Sequence, residues 1–106
     1  MNKIYLASKW NDGLIGKVSS QLNEHVYVTI DVDGLDPSIV PGTGTPEPGG
    51  LSWYQLLKLL REISKRKKIV GFDIVELAPI RGFNASEFAA AKLAYRLMGY
   101  IVTGKK

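Results

Sequence analysis

The sequence predicts an α/β protein, a three-layer α/β/α arrangement around a short parallel sheet. Two observations carry that expectation. The spacing of apolar residues switches between a period of two and a period near 3.6, in the order strand, helix, strand, loop, helix, strand, helix. Residues 69–77 (I-V-G-F-D-I-V-E-L) also form a nearly continuous apolar run, the mark of a strand covered on both faces. Strands that alternate with helices are joined by crossovers, and crossovers make neighbouring strands parallel.

Residues 4–8 (I-Y-L-A-S) read as a short strand. Leu14, Ile15, Val18 and Leu22 recur at helical spacing, which predicts a helix over 12–23 capped by Asn11 or Asp12. Residues 26–32 (V-Y-V-T-I-D-V) are mostly β-branched or aromatic and alternate with period two. That period puts Tyr27, Thr29, Asp31 and Asp33 on one face, and Val26, Val28, Ile30 and Val32 on the other. Residues 33–50 have no period and hold four of the five prolines and five of the 11 glycines. Ser52 can cap a helix in which Trp53, Leu56, Leu57, Leu60 and Ile63 make one apolar stripe. After the strand at 69–77, residues 79–83 turn the chain. A last helix runs from residue 85 or 86 to 101, with Phe88, Ala91, Tyr95 and Met98 expected inward and Lys92 and Arg96 outward. Three strands are few for a sheet of this kind.

The composition is that of one globular domain: 106 residues, 45% hydrophobic and 23% charged, without repeats or low-complexity segments. There is no cysteine, which excludes disulfides, thiolate metal sites and a cysteine nucleophile. No apolar run approaches the ~20 residues of a membrane span, and the N-terminus lacks the apolar core of a signal peptide. A cytoplasmic protein with no membrane partner is the expectation.

The net charge of +4 hides an asymmetry. Between Lys17 and Lys58 there is no lysine or arginine, yet that segment holds Glu24, Asp31, Asp33, Asp36 and Glu47. The densest basic run, Lys65-Arg66-Lys67-Lys68, closes an amphipathic helix, where cations complement the helix dipole and stay solvated. It therefore does not indicate a nucleic-acid partner. The acidic stretch says more, because carboxylates set close together need a cation to tolerate one another.

Asp31 and Asp33 stand at the C-terminal end of a parallel strand, where open α/β sheets bind their ligands. Oxygen donors of this kind suit a hard divalent ion such as Mg²⁺ or Mn²⁺. The loop that follows, D-G-L-D-P-S-I-V-P-G-T-G-T-P-E-P-G-G-L (33–51), combines the fixed φ of proline with the permissive backbone of glycine. It is far longer than the two to six residues of an ordinary strand–helix connection, as active-site loops are.

The stretch V-Y-V-T-I-D-V-D-G-L-D-P-S-I-V-P-G-T-G-T-P-E-P-G-G-L-S (26–52) closely resembles a signature of the ureohydrolase family, the agmatinase and arginase group. Residues 69–79 (I-V-G-F-D-I-V-E-L-A-P) resemble the family's next strand, and with the last helix the resemblance covers 26–102 of a single partial domain spanning 1–106. It implies the C-terminal part of the arginase-like fold. It also implies that Asp31 and Asp33 are two of six protein ligands to a pair of manganese ions, Asp31 bridging both. Glu76 matches the carboxylate that grips the substrate guanidinium, and Thr45 a loop residue close to the substrate. The chemistry implied is metal-assisted hydrolysis of a small cationic guanidino substrate: agmatine to putrescine and urea first, arginine next. The Pro-Glu-Pro-Gly-Gly wording at 46–50 leans toward agmatinase-type members.

The Gly-Gly-Asp-His and Asp-Ala-His-x-Asp motifs that supply the family's other four ligands are absent, as is its catalytic histidine. The lone His25 precedes the strand that ends at Asp31, so it belongs to the wrong end of the sheet. Asp73 reads as a hydrogen-bonded structural carboxylate. No catalytic set is complete in this chain. By itself it is expected to be inactive and to bind manganese weakly or not at all, needing a complementing chain with the missing His and Asp motifs. The alternatives are a truncated or degenerate relative with a structural, assembly or binding role, and a metal hydrolase of related fold. An exposed strand edge and uncovered helix faces lead us to expect a homo-oligomer.

Overall fold

A computed structural model describes residues 3–104 of the chain. Two parallel strands, β1 (His25–Asp31) and β2 (Lys68–Val75), pair side by side, with His25 opposite Lys68 and Asp31 opposite Val75. Helices α1 (Gly13–Ser20), α2 (Trp53–Arg66) and α3 (Ala85–Thr103) complete the fold. The α/β class and the short parallel sheet are those the sequence predicts.

The alternation along β1 is also as predicted. Val26, Val28 and Ile30 turn toward the core while Tyr27, Thr29 and Asp31 are exposed. The core joins Ile30 and Ile69 of the sheet to Leu56, Leu57, Leu60 and Ile63 of α2 and to Leu93 and Leu97 of α3. Val32, Leu35 and Val40, from the start of the long loop, are buried in the same cluster. The described residues thus pack helices on one face of the sheet, and the layer expected over the other face is not supplied by them.

Ser52 caps α2 as expected. Its hydroxyl accepts from the Gln55 amide while the Gln55 side chain accepts from the Ser52 amide, a reciprocal capping box. Asp12 precedes α1 but makes no cap; its carboxylate pairs with Lys58 Nζ at 2.7 Å instead, linking α1 to α2.

Three expectations are corrected. Residues 4–8 do not form a strand: the chain there is irregular and ends in a 3₁₀ turn, Ala7–Lys9, with Ile4 76% and Leu6 58% exposed. β-propensity without a neighbouring strand to hydrogen-bond makes no ladder, so the sheet among the described residues has two strands and not three. On α3 the inward side chains are Ser86, Ala90, Leu93 and Leu97, whereas Phe88, Ala91, Tyr95 and Met98 face solvent. The two stripes lie roughly 140° apart on the helix, and both are apolar enough to satisfy the period. Finally, β2 stops at Val75, because Glu76 takes a left-handed φ of 71° that no strand can continue through.

A bulge between Val26 and Tyr27 shifts the register so that Tyr27 faces Gly71 and Val70 is pushed out. A side chain at 71 would meet the Tyr27 ring at 3.0 Å, so glycine there lets the ring lie across β2. Its hydroxyl then reaches Asp73, donating to Oδ2 at 3.0 Å, and Thr29 donates to the other oxygen, Oδ1. Asp73 is the hydrogen-bonded carboxylate the sequence suggests, and its acceptance of the proton holds the Tyr27 phenol above its ordinary pKa.

Candidate functional site

The sequence-predicted site residues gather where the two strands end. Asp31 is the last residue of β1 and is exposed. Asp33 follows in a 3₁₀ turn, Val32–Gly34, half-buried. Glu76 leaves β2 one residue past the Asp31–Val75 pair, so three carboxylates share one end of a two-stranded sheet. Thr45 joins them from the loop: its hydroxyl donates to Asp33 Oδ2 at 2.6 Å. His25 starts β1, roughly 20 Å away at the other end of the strand.

The loop that delivers Thr45 is pinned at its neck and its middle. At the neck, the Leu51 amide donates to Gly34 O and the Asp36 amide donates to Leu51 O, both at 2.9 Å. The two chain segments approach so closely there that a Cβ on Gly50 would sit 2.6 Å from Asp36 N and from Leu35 C. Within the loop the Asp36 carboxylate accepts from the Ser38 amide and hydroxyl and, through its other oxygen, from the Gly49 amide at 2.9 Å. These donors, the Ser38 hydroxyl first, hold Asp36 below its ordinary pKa. At the middle, the Gly42 amide donates to the buried Ser86 Oγ at 2.8 Å and Gly42 O accepts from the Ala78 amide at 2.7 Å. Thr43 bridges Leu77 in the same place, which sets the loop beside the residue that follows Glu76.

Sequence reasoning missed Asp36, Ser86 and the Glu76 conformation. The Asp-Pro-Ser wording at 36–38 is a turn signal in which a carboxylate accepts from the amide two residues on, and it was available. Ser86 had no local signal: a serine in the first turn of a helix shows nothing of a loop 44 residues earlier.

Chemically, the cluster offers oxygen donors only. None of Asp31, Asp33 and Glu76 forms an ion pair among the described residues. The donor type fits a hard divalent cation or a guanidinium, but the number does not fill a coordination shell. No group of three or more His, Cys, Asp or Glu side chains among the described residues could hold a metal ion.

The Arginase family profile matches residues 5–99. The chain belongs to the arginase family. The match reaches back to residue 5, well before the motifs that begin at Val26. Among its relatives, an N(1)-aminopropylagmatine ureohydrolase of Synechocystis sp. is 50% identical over 91 residues, 86% of this chain and 29% of that protein. An agmatinase of Pyrococcus horikoshii is 48% identical over 88 residues, 83% of this chain and 31% of that protein. The solved proclavaminate amidino hydrolase of Streptomyces clavuligerus superposes with a TM-score of 0.77 at 33% identity, covering 89% of this chain and 32% of that one. This arginase-family chain therefore spans about three-tenths of the length of the relatives it matches. No helix among the described residues is long and apolar enough to cross a membrane.

Proposed function

We propose that the chain supplies the carboxylate-bearing, C-terminal portion of a ureohydrolase site that releases urea from a guanidino substrate, agmatine first and arginine next. The observation that carries this reading is the Thr45–Asp33 hydrogen bond. It ties the loop residue that the family resemblance puts beside the substrate to a carboxylate that the same resemblance puts on the metal. The names of the relatives support the agmatine class: one is an agmatinase and another acts on an aminopropyl derivative of agmatine.

In this reading Asp31 and Asp33 hold manganese together with donors from outside the chain. Such ions, when bound, supply an activated water and stabilise developing negative charge. Glu76, at the adjacent strand end, receives the planar guanidinium through paired hydrogen bonds. The absence of lysine and arginine from residues 18–57 keeps competing cations away from the substrate. With two donors in place, the chain alone is inactive toward agmatine and needs a complementing polypeptide, in the cytoplasm, for the rest.

A chimera tests this. The chain replaces the stretch it matches in the P. horikoshii agmatinase, and urea release from agmatine with Mn²⁺ is measured. Activity is expected, with Asp33→Asn lowering kcat at least about a hundredfold. A folded but inactive chimera overturns the proposal. It would favour the second reading, a family member kept for assembly, which the two-donor count also suggests.

A further inference from the structure

Glu76 holds a backbone conformation that its surroundings must impose. Its φ of 71° is left-handed, a region that sterics disfavour for any residue with a Cβ, and among the described residues only Glu76 and two glycines enter it. Such a conformation persists where the structure around it over-determines it. Packing does not do so here: Val75, Glu76 and residues 78–85 are exposed, and Leu77 is half-buried. Hydrogen bonding just downstream does. Leu77 bridges Thr43 in the antiparallel sense, and the Ala78 amide donates to Gly42 O at 2.7 Å. Farther along, the Phe83 amide donates to Ile80 O within the same turn, which ties the segment to nothing else.

Gly42 is held in turn from its other side. Its amide donates at 2.8 Å to Ser86 Oγ, and Ser86 is wholly buried in the first turn of α3. The fit is tight, since a Cβ at position 42 would lie 2.7 Å from that oxygen and 3.0 Å from Ala78 O. Position 42 is therefore a backbone link, with α3 on one side and the residues after Glu76 on the other. Helix α3 is a firm anchor for it, because Leu93 and Leu97 are fully buried in the core. Three residues beyond Gly42 the same loop brings Thr45 to Asp33 Oδ2. One buried hydroxyl thus fixes both the residues that hold Glu76 and the stretch of loop that carries Thr45. Removing it would leave the buried Gly42 amide without an acceptor.

We propose that Ser86 is a positioning residue of the site: through Gly42 it locks Glu76 in its left-handed conformation and sets that carboxylate against the Asp33–Thr45 pair. Ser86 is buried, so it touches neither metal nor substrate. The catalytic value of the placement rests on the ureohydrolase reading, in which Glu76 takes the guanidinium and Asp33 the metal. Grip and metal must then stand at a fixed separation, because a misplacement of about 1 Å can cost on the order of a hundredfold in rate.

NMR on the 106-residue chain reads the placement with neither metal nor substrate present. Glu76 should show a strong intraresidue amide–Hα cross-peak, the mark of a positive φ, and the Gly42 and Ala78 amides should exchange slowly. Ser86→Ala should speed exchange at both amides at least about tenfold and weaken the cross-peak, while the Leu93 and Leu97 amides stay protected. Ser86→Thr, which keeps the hydroxyl, should restore the parent pattern. A parent chain without the cross-peak, or one whose cross-peak and protection ignore Ser86→Ala, would overturn the proposal. Uniform loosening of α3 in Ser86→Ala would also overturn it, by making Ser86 a packing residue of the helix only. Catalysis is read separately in the agmatinase chimera. There Ser86→Ala should lower kcat for agmatine about tenfold and raise KM less than about threefold, with recovery in Ser86→Thr. An active chimera whose kcat ignores Ser86→Ala would overturn the catalytic role. A folded chimera inactive with Ser86 in place would instead overturn the ureohydrolase reading, and the NMR comparison would still decide whether Ser86 places Glu76.

Discussion

The long loop is ordered as its sequence suggests, whereas the N-terminal segment is not the strand that its sequence suggests. Residues 36–50 contain no helix or extended strand, yet hydrogen bonds to Asp36, Leu51 and Ser86 fix them at the neck, the turn and the middle. Residues 4–8 have the apolar, β-prone wording of a strand, and they lie on the surface with Ile4 and Leu6 largely in solvent. Beneath them is an open cavity of about 410 Å³ bounded by Tyr5, Trp10, Leu14, Val18 and Leu59. Order in this molecule follows the availability of partners for backbone and carboxylate groups more than local propensity. The loop is tied by Asp36 within it and by Ser86 on α3; the N-terminal segment closes a 3₁₀ turn on Leu6 and Ala7 and ties the Tyr5 hydroxyl to Gln21.

The sharpest way to break the contrast is at the neck. Gly50→Ala places a methyl carbon 2.6 Å from two backbone atoms, which cannot yield as a flexible side chain would. A destabilisation of about 3 kcal/mol is expected from urea unfolding, together with loss of the Thr45–Asp33 contact. A cost below about 0.5 kcal/mol would mean that the two segments separate easily and that the loop is held elsewhere.

A smaller effect should follow acid. The Asp36 carboxyl is held below its ordinary pKa, chiefly by the Ser38 hydroxyl and then by the Ser38 and Gly49 amides. Its contribution is present in full above the unfolded value near 3.9 and is lost as pH falls through the lower folded value. Hydrogen exchange at the Gly49 amide should therefore stay protected at neutral pH and open progressively below about pH 4, after correction for intrinsic rates. Asp36→Asn should remove most of that dependence. An unchanged acid profile in the variant would assign the loop's order to other groups.

Much of the site was legible because its signals are local. Alternation along 26–32 sorted the faces of β1, and Ser52 with its apolar stripe announced α2. The loop's length and its Pro and Gly content announced something more than a connector. What was not legible depends on tertiary choice. Helix α3 carries apolar residues on two sides, so its period admits two inward faces, and only packing against α2 and β2 selects Leu93 and Leu97. Glu76 takes a φ of 71°, a conformation for which glutamate carries no sequence signal. The strand expected at 4–8 failed for want of a partner, which no segment can announce about itself.

The weakest expected effect tests the other half of the contrast. Leu6 has the chemistry of a core residue, but more than half of it is already in water and an open cavity adjoins it. Leu6→Ser should therefore change the urea midpoint by no more than about 0.5 kcal/mol equivalent. Leu35→Ala, at a residue 2% exposed within the core, should cost about 3 kcal/mol from the same chemical class of side chain. If Leu6→Ser instead costs more than about 1.5 kcal/mol, the segment is packed in solution, and the strand wording at 4–8 then describes a partner that the chain finds there. A neighbouring polypeptide that completes the sheet would produce that change only when added, so measuring Leu6→Ser with and without a complementing chain separates propensity from partner.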